Sequence, residues 1–413
     1  MNVGNWNYCK KIYIYDSTLR DGAQGEGISF TLSDKVNLTM RLDGFGIDYI
    51  EAGNPGSNPK DMEYFDRIRK VKLKNSKLVA FGSTRRANTK VHEDDNILSL
   101  LRAETPAIAV FGKSWDFHVN SIIRTTLDEN LRMISETIGF MKEKGKEVIF
   151  DAEHFFDGYK SNPDYALHTL KAAQDAGADW LVLCDTNGGS FPWEIGDIVG
   201  RISKIREAPI GIHTHNDCGM AVANSIMAVQ NGSSQVQETI NGYGERCGNA
   251  NLCTIIPNLQ LKRKYCLIDD CKIKSLTQLS RFVSEVANIS HNEYGPYVGN
   301  NAFAHKGGMH IDAVLKHPVS YEHIAPELVG NERRVLMSEV SGRSTILKKI
   351  QKYAPGLSKD SSEVKEITDK LKKLEHEGYQ FEGAESSFEL LIKRSLGKDN
   401  EFFKVINFRV WCD

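Results

Sequence analysis

The most informative stretch of the sequence is Ile210-Gly-Ile-His-Thr-His-Asn-Asp217. It opens with a short apolar run that predicts a buried strand, and the alanine-rich run at 220–230 predicts a helix after it. Side chains alternate between the two faces of a strand, so His213 and His215 point the same way. Two imidazoles at the carboxyl end of a strand are potential metal ligands, although His-x-His alone is a short and common motif.

Strand-like and helix-like runs alternate on both sides of this motif. Strands are predicted at 12–16, 49–51, 78–82, 107–112, 148–152, 180–184, 210–214 and 235–239. Helices are predicted at 33–45, 61–71, 94–102, 127–144, 163–176, 193–205, 221–231 and 251–261. Eight βα units in about 250 residues predict a (β/α)8 barrel. A doubly wound open sheet is the alternative architecture.

Polar residues recur where the predicted strands end, and this pattern favours the barrel. They are Arg20, Asp21, Glu51, Arg85, Glu153, Asp185, Thr186, His213, His215 and Glu238. In a barrel the carboxyl ends of all strands meet at one mouth, where active sites form. An open sheet would not by itself explain so many polar strand ends. We therefore expect an α/β fold, a (β/α)8 TIM barrel, followed by a mostly helical C-terminal region.

Composition excludes several classes of protein. The chain has 413 residues, and its 52 Lys and Arg against 54 Asp and Glu leave a net charge of -2, which argues against nucleic acid as a partner. No apolar run approaches the roughly 18 residues of a membrane span, and residues 1–11 lack an apolar signal core. Eight scattered cysteines without a Cys-x-x-Cys pair predict reduced thiols in a cytoplasmic protein.

A second motif, Asp16-Ser-Thr-Leu-Arg-Asp-Gly-Ala-Gln24, follows the first predicted strand. Asp21 with the two histidines would form a mixed nitrogen and oxygen site that suits Mg²⁺, Mn²⁺ or Zn²⁺. Open positions on such an ion can take a chelating 2-oxo acid, whose ketone the ion would polarise. Arg20 would offset negative charge on the ketone oxygen, and an ion pair with Asp21 is its simpler interpretation.

Three long motifs carry a family resemblance. Residues 16–24, 213–217 and 241–249 resemble the signatures of the DRE-TIM metallolyases. Within that superfamily the chain is most similar to the Claisen-condensing branch, the citramalate, isopropylmalate and homocitrate synthases. Residues 53–61, 152–159 and 340–344 resemble the citramalate synthase group in particular. The resemblance implies an acyltransferase that joins acetyl-CoA to pyruvate and releases citramalate and CoA. Two alternatives are the same chemistry on 2-oxoisovalerate and a metal-dependent hydroxyacyl-CoA or aldol lyase.

The resemblance also implies roles for individual residues. The metal ligands would be Asp21, His213, His215 and Asn249. The 2-oxo acid would be held by Arg20, with Thr186 hydrogen-bonded to its carboxylate. Glu153 would lie near the acetyl group, and its simpler interpretation is a hydrogen-bonding residue of the pocket wall.

The segment after the barrel would supply a base. The resemblance implies His310 as that base, donated by the partner subunit of a homodimer and supported by Asp312 and Tyr321. An ordinary loop histidine is the simpler interpretation of His310. We expect a catalytic barrel at 1–264, helical subdomains at 265–345 and 346–400, and the start of a regulatory domain at 401–413. An apolar stripe on a charged helix predicts a packing face, at Val364, Ile367, Leu371 and Leu374.

Overall fold

Eight parallel strands close into a barrel in the computed structural model, which describes residues 9–336, 347, 350–351, 354–358, 360–381, 384–398 and 403–412. The strands are β1 (Tyr13–Asp16), β2 (Tyr49–Glu51), β3 (Lys77–Ser83), β4 (Ala107–Lys113), β5 (Glu147–Glu153), β6 (Trp180–Asp185), β7 (Ile210–Thr214) and β8 (Gln235–Glu238). Pairing of β8 with β1, in the register Tyr13 to Gln235, closes the sheet. The predicted barrel is confirmed, and the open sheet is excluded.

Helices follow the strands and cover the barrel. They are α1 (Leu32–Phe45), α2 (Pro59–Ile68), α3 (Asp95–Arg102), α4 (Leu127–Glu143), α5 (Phe155–Ser161), α6 (Pro163–Asp175), α7 (Pro192–Ile205), α8 (Ala221–Gln230), α9 (Leu252–Pro257), α10 (Asp270–Ile273) and α11 (Leu276–Val286). The eight predicted helices are present. The prediction missed α5, because its seven residues are too few to show a helical period.

Local sequence explains where the first helix begins and ends. The Thr31 hydroxyl accepts a hydrogen bond from the Asp34 amide, and the Asp34 carboxylate accepts one from the Thr31 amide. This reciprocal pair satisfies two amide groups that the helix cannot bond internally. Gly46 ends the helix in the left-handed region, at φ 101°, where a side chain would cost conformational energy.

The barrel interior changes character along its axis. Aromatic rings fill the end where the strands begin: the ring centroids of Tyr13 and Tyr49 lie 5.3 and 6.5 Å from that of Trp180. The next layer toward the other end contains Val79, Ile149 and Val182, all fully buried. This apolar filling anchors the strands, so that the polar residues at their carboxyl ends start from a rigid base.

One cysteine prediction is wrong. Cys9 and Cys266 form a disulfide, whereas the sequence analysis predicted reduced thiols throughout. The two residues are 257 positions apart, and closure of the barrel brings their segments side by side, with the Ile12 amide donating to the Cys266 carbonyl at 2.9 Å. Sequence spacing alone does not reveal such a pairing. Cys184, Cys218, Cys247, Cys253, Cys271 and Cys412 are free thiols.

The chain falls into two compact units, divided between Gly299 and Asn300. The second unit contains the short parallel strands β9 (Ala304–His305) and β10 (Arg334–Val335) and the helices α12 (Gly308–Lys316), α13 (Ser362–His376) and α14 (Glu385–Ser395). The predicted apolar stripe on α13 is buried against a core that includes Phe388 and Ile392, which confirms it as a packing face. The motif at 340–344 lies outside the described residues. Among the described residues, no helix is long and apolar enough to cross a membrane.

Candidate metal and substrate site

Asp21, His213 and His215 come together where β1 and β7 end. The Asp21 Oδ2 atom lies 3.5 Å from His213 Nε2 and 3.9 Å from His215 Nε2, and the two Nε2 atoms are 3.3 Å apart. All three side chains are buried. Three groups with lone pairs therefore converge on one point, from positions almost two hundred residues apart in sequence.

A hydrogen bond to the Gln237 carbonyl orients the His213 ring. Its Nδ1 atom lies 2.9 Å from the Gln237 carbonyl, which can only accept, so Nδ1 carries the proton and donates. The unprotonated Nε2 lone pair then faces Asp21 and His215. Metal-binding histidines are generally oriented in this way by a second partner behind the ring.

Two electrostatic features suit a cation here. Burial, followed by the charge of His213, lowers the pKa of His215 to about 4, so the imidazole is neutral at pH 7 and keeps a lone pair available. Burial acts to raise the pKa of Asp21, but Arg20 and the two histidines outweigh it and hold that pKa below its ordinary value. The site thus combines one carboxylate with neutral imidazole.

Two buried atoms beside the triad have no hydrogen-bond partner among the described residues: His215 Nδ1 and Asn249 Oδ1. The Asn249 amide nitrogen donates to the Tyr243 carbonyl at 2.9 Å, and a backbone bridge pairs Asn249 with His215. A buried carbonyl oxygen without a donor is costly unless something else satisfies it. The donor set and this oxygen fit a divalent cation.

Arg20 is held more firmly than its sequence context predicts. Its Nε atom lies 2.6 Å from Glu51 Oε2, while the predicted contact to Asp21 is longer, at 3.3 Å. Glu51 is fully buried and also accepts hydrogen bonds from the hydroxyls of Tyr15 and Ser17. The guanidinium lies over the Phe81 ring, 3.8 Å from its centroid. Glu51, noted only as a polar strand end, is therefore the residue that positions Arg20.

A cavity of about 350 Å³ opens at this mouth. Its lining includes the predicted Arg20, Asp21, Glu153, Thr186, His213 and His215, together with Gln24, Asn54, Phe81, Phe111, Asp151, Cys184, Glu245 and Arg246. No pattern in the sequence predicts a role for Phe81, Phe111, Asp151 or Cys184, which lie inside predicted strands. What they share in the sequence is their position: they fall on alternate residues of a strand, on the face that leads to the polar residue at its end.

Glu153 and Thr186 stand at the rim of the cavity. Glu153 forms an ion pair with Lys113 on β4. The Thr186 hydroxyl oxygen accepts a hydrogen bond from the His154 amide at 2.9 Å. The loop after β8 is tied down beside them, since Arg246 donates to the Thr186 carbonyl and forms a two-point ion pair with Asp217 at 2.8 and 2.9 Å.

The three predicted residues of the second unit lie close in sequence and are exposed. His310 on α12 stacks on Tyr321, with ring centroids 4.2 Å apart and planes at 26°. Asp312 forms an ion pair with Lys316 one turn further along the helix, at 2.6 Å. The imidazole of His310 is thus presented to solvent in this unit, with its ring orientation set by Tyr321.

Fold and site together define a (β/α)8-barrel protein with a buried cluster of potential metal ligands at the carboxyl ends of its strands. The model of the HMGL-like family matches residues 11–283, and that of the homocitrate synthase post-HMGL domain-like family matches residues 297–379. The chain belongs to the HMGL-like family, which confirms the resemblance drawn from its motifs.

The sequence identity of this chain differs between relatives with different named activities. The chain is 55% identical to an (R)-citramalate synthase from Geobacter sulfurreducens, over 97% of this chain and 76% of the relative. Its identity to a 2-isopropylmalate synthase from Methanocaldococcus jannaschii is 32%, over 95% of this chain and 73% of the relative. Among solved structures, an HMG-CoA lyase from Bacillus subtilis superposes with a TM-score of 0.59 at 19% identity, covering 69% of this chain and 96% of the lyase. That last similarity concerns the fold alone.

Proposed function

We propose that this chain is an acyltransferase that condenses acetyl-CoA with pyruvate and water to give citramalate and CoA. The convergence of Asp21, His213 and His215 beside the fixed guanidinium of Arg20 is the observation that carries this proposal. Relatives named (R)-citramalate synthase at 44–55% identity support the choice of substrates. We further propose that the protein acts in the cytoplasm as a homodimer.

Asp21, His213 and His215 would hold a divalent ion, Mg²⁺, Mn²⁺ or Zn²⁺, with Asn249 as an additional oxygen ligand. Such an ion supplies Lewis-acid polarisation of the ketone of the 2-oxo acid. The protein contributes the geometry: His213 is oriented by the Gln237 carbonyl, and the Tyr243 carbonyl holds the Asn249 amide. Both side chains are thus already held in place by hydrogen bonds before an ion or substrate binds.

Arg20 and Thr186 would bind the 2-oxo acid. The Arg20 guanidinium is fixed by Glu51 and carries the positive charge that offsets charge growing on the ketone oxygen. The Thr186 hydroxyl already accepts a hydrogen bond from His154, so its own proton is available to donate to the substrate carboxylate. The two side chains approach the cavity from β1 and β6, on different sides of the barrel.

A base must remove a proton from the acetyl methyl group before its carbon can attack the ketone. We assign this task to His310 of the partner subunit, with Tyr321 and Asp312 in support. Glu153 would lie against the acetyl group, where its pairing with Lys113 fixes its position. Hydrolysis of the thioester then releases CoA and makes the condensation hard to reverse.

A second candidate is the same condensation on 2-oxoisovalerate. Relatives named 2-isopropylmalate synthase favour it, but at 32–34% identity they are more distant than those named (R)-citramalate synthase. The two substrates differ in the group on the ketone, methyl against isopropyl. A few cavity side chains decide between them, because such a difference is worth only about 1–3 kcal/mol per methylene.

Thiol release from acetyl-CoA distinguishes these candidates. The purified protein, supplied with Mg²⁺ or Mn²⁺, is assayed with pyruvate, 2-oxobutyrate, 2-oxoisovalerate and 2-oxoglutarate, and the products are identified by mass spectrometry. We expect the highest kcat/KM with pyruvate and citramalate as its product. A higher kcat/KM with 2-oxoisovalerate would transfer the assignment to the second candidate. Cleavage of a hydroxyacyl-CoA without thiol release from acetyl-CoA would make the protein a lyase.

A further inference from the structure

One buried carboxyl group in the cavity has no role in the function proposed above. Asp151 is the fifth residue of β5, and the alternation of that strand places Ile149, Asp151 and Glu153 in successive layers of the barrel interior. Ile149 belongs to the apolar layer, and Glu153 stands at the rim. Asp151 lies between them, in the cavity wall, and is only 4% exposed.

The groups around Asp151 offer it little positive charge. Gln237 on β8 donates to Asp151 Oδ1 at 3.1 Å. Glu51 on β2 and Asp21 after β1 repel a second negative charge, while Arg20, whose charge acts to lower the pKa of Asp151, is already paired with both of those carboxylates. The hydroxyl of Tyr15 on β1 and the thiol of Cys184 on β6 also interact with Asp151.

These surroundings decide the charge of the group. Burial, followed by repulsion from Glu51, raises the pKa of Asp151 to about 8. In the chain without a bound ion the carboxyl group is therefore protonated at neutral pH, and its proton makes it a hydrogen-bond donor. A neutral carboxylic acid in an apolar pocket is a known way to stabilise a developing oxyanion without adding charge to the site.

We propose that Asp151 is a further substrate-contacting residue, whose carboxyl group donates a hydrogen bond to the ketone oxygen of the bound 2-oxo acid as negative charge develops there. The inference rests on the proposed function, because that function defines the oxygen concerned. No proton is transferred: the carboxyl group keeps its proton and supports the charge from the cavity wall, while Gln237 holds its other oxygen.

Two substitutions separate a donor from a structural residue. Asp151→Ala removes the donor, and we expect kcat/KM for pyruvate to fall by about 10²-fold, as for loss of one oxyanion donor. Asp151→Asn keeps a donor of similar size, and we expect kcat/KM within about tenfold of the unsubstituted protein. The unsubstituted protein should lose activity as the pH rises and Asp151 ionises, and the Asn variant should not.

Glu147→Gln is the matched control. Glu147 is the first residue of the same strand and bonds Tyr49 and Lys77 at the opposite end of the barrel, so its substitution should leave kcat/KM and the pH profile unchanged. The metal content and melting temperature of each variant show whether the site is intact. Difference infrared spectra, unsubstituted minus Asp151→Asn, should contain the carbonyl band of a protonated carboxyl group at pH 7.

Three results would overturn the donor role: unchanged kcat/KM in Asp151→Ala, a loss in Asp151→Asn as large as in Asp151→Ala, or no protonated carboxyl band. If the Ala variant does not fold, the pH profile and infrared band of the Asn variant decide. Absence of thiol release in the unsubstituted protein would instead refute the proposed function. The infrared band, together with pyruvate affinity by calorimetry in both proteins, would then still test whether Asp151 is a donor.

Discussion

The two ends of the barrel both contain buried or half-buried charged groups, but only one end leaves them unbalanced. Where the strands begin, Glu147 accepts from the Tyr49 hydroxyl at 2.6 Å and pairs with Lys77 at 2.5 Å, so its charge is matched locally. Where the strands end, Asp21 and Glu51 both pair with the guanidinium of Arg20, and the buried carboxyl group of Asp151 adds a third acidic side chain.

This difference in charge balance indicates which end of the barrel carries the functional site. A satisfied ion pair stabilises the fold modestly and needs nothing further. A convergent set of acceptors with too few donors is costly in isolation and is retained where a ligand or ion completes it. The surplus of acceptors at the mouth thus points to a cation, and variants at the mouth should lose activity while a variant at the other end keeps it.

The largest expected effect is at the metal ligands. Asp21→Ala or His213→Ala should lower kcat for thiol release by about 10³-fold or more, equivalent to about 4 kcal/mol of lost Lewis-acid stabilisation. Bound divalent metal, measured by mass spectrometry, should fall in parallel, while Glu147→Gln at the other end keeps both metal and activity. Retention of activity in a metal-depleted Asp21→Ala variant would contradict the metal site.

The next effect concerns the base assigned to the second unit. His310→Ala should lower kcat by about 10²- to 10⁴-fold, the usual range for loss of a positioned base. Mixing the inactive His310→Ala and Asp21→Ala variants, after denaturation and refolding together, should restore thiol release, because a mixed dimer contains one site with both residues. Each variant refolded alone is the control, and no recovery in the mixture would place His310 in the same subunit as its site.

A smaller effect on kcat/KM is expected when Arg20 loses its ion pair with Glu51. Glu51→Gln keeps the shape of the side chain but removes the charge that fixes the guanidinium, so kcat/KM should fall by about 10-fold to 10²-fold, as for a misplaced positioning group. Metal content should stay near one ion per chain. Loss of the metal in this variant would show that Glu51 supports the triad and not Arg20.

The smallest effect is a change in the pH dependence of stability. Burial raises the pKa of Asp16 to about 7, so the folded chain binds a proton that the unfolded chain releases above about pH 4. The stabilisation of the folded state by this proton is fully present below the pKa that Asp16 has in the unfolded chain. As the pH rises from that value to about 7, the free energy of unfolding falls by about 1.4 kcal/mol per pH unit, and the stabilisation is then lost. Asp16→Asn should flatten this slope in urea unfolding between pH 5 and pH 7. An unchanged slope would mean that Asp16 is ionised in the folded state.

Sequence patterns predicted most of the fold, because each strand and helix carries its own period. The eight strands and seven of the eight helices between them were predicted, with boundaries that differ by up to three residues. The short α5 was missed, and so was the disulfide between Cys9 and Cys266, whose partners are adjacent only after the barrel closes. Pairings of that kind depend on topology and not on local preference.

Local sequence patterns were enough to predict a barrel with Asp21, His213 and His215 together at its mouth, since strand ends in a closed parallel sheet converge whatever lies between them. The pairing of Glu51 with Arg20 and the contact of Asp151 with Gln237 in the cavity wall become visible only in the folded chain. Those facts depend on distances between side chains of β1, β2, β5 and β8. Such distances come from the tilt and register of the closed sheet, which no single segment of the chain encodes.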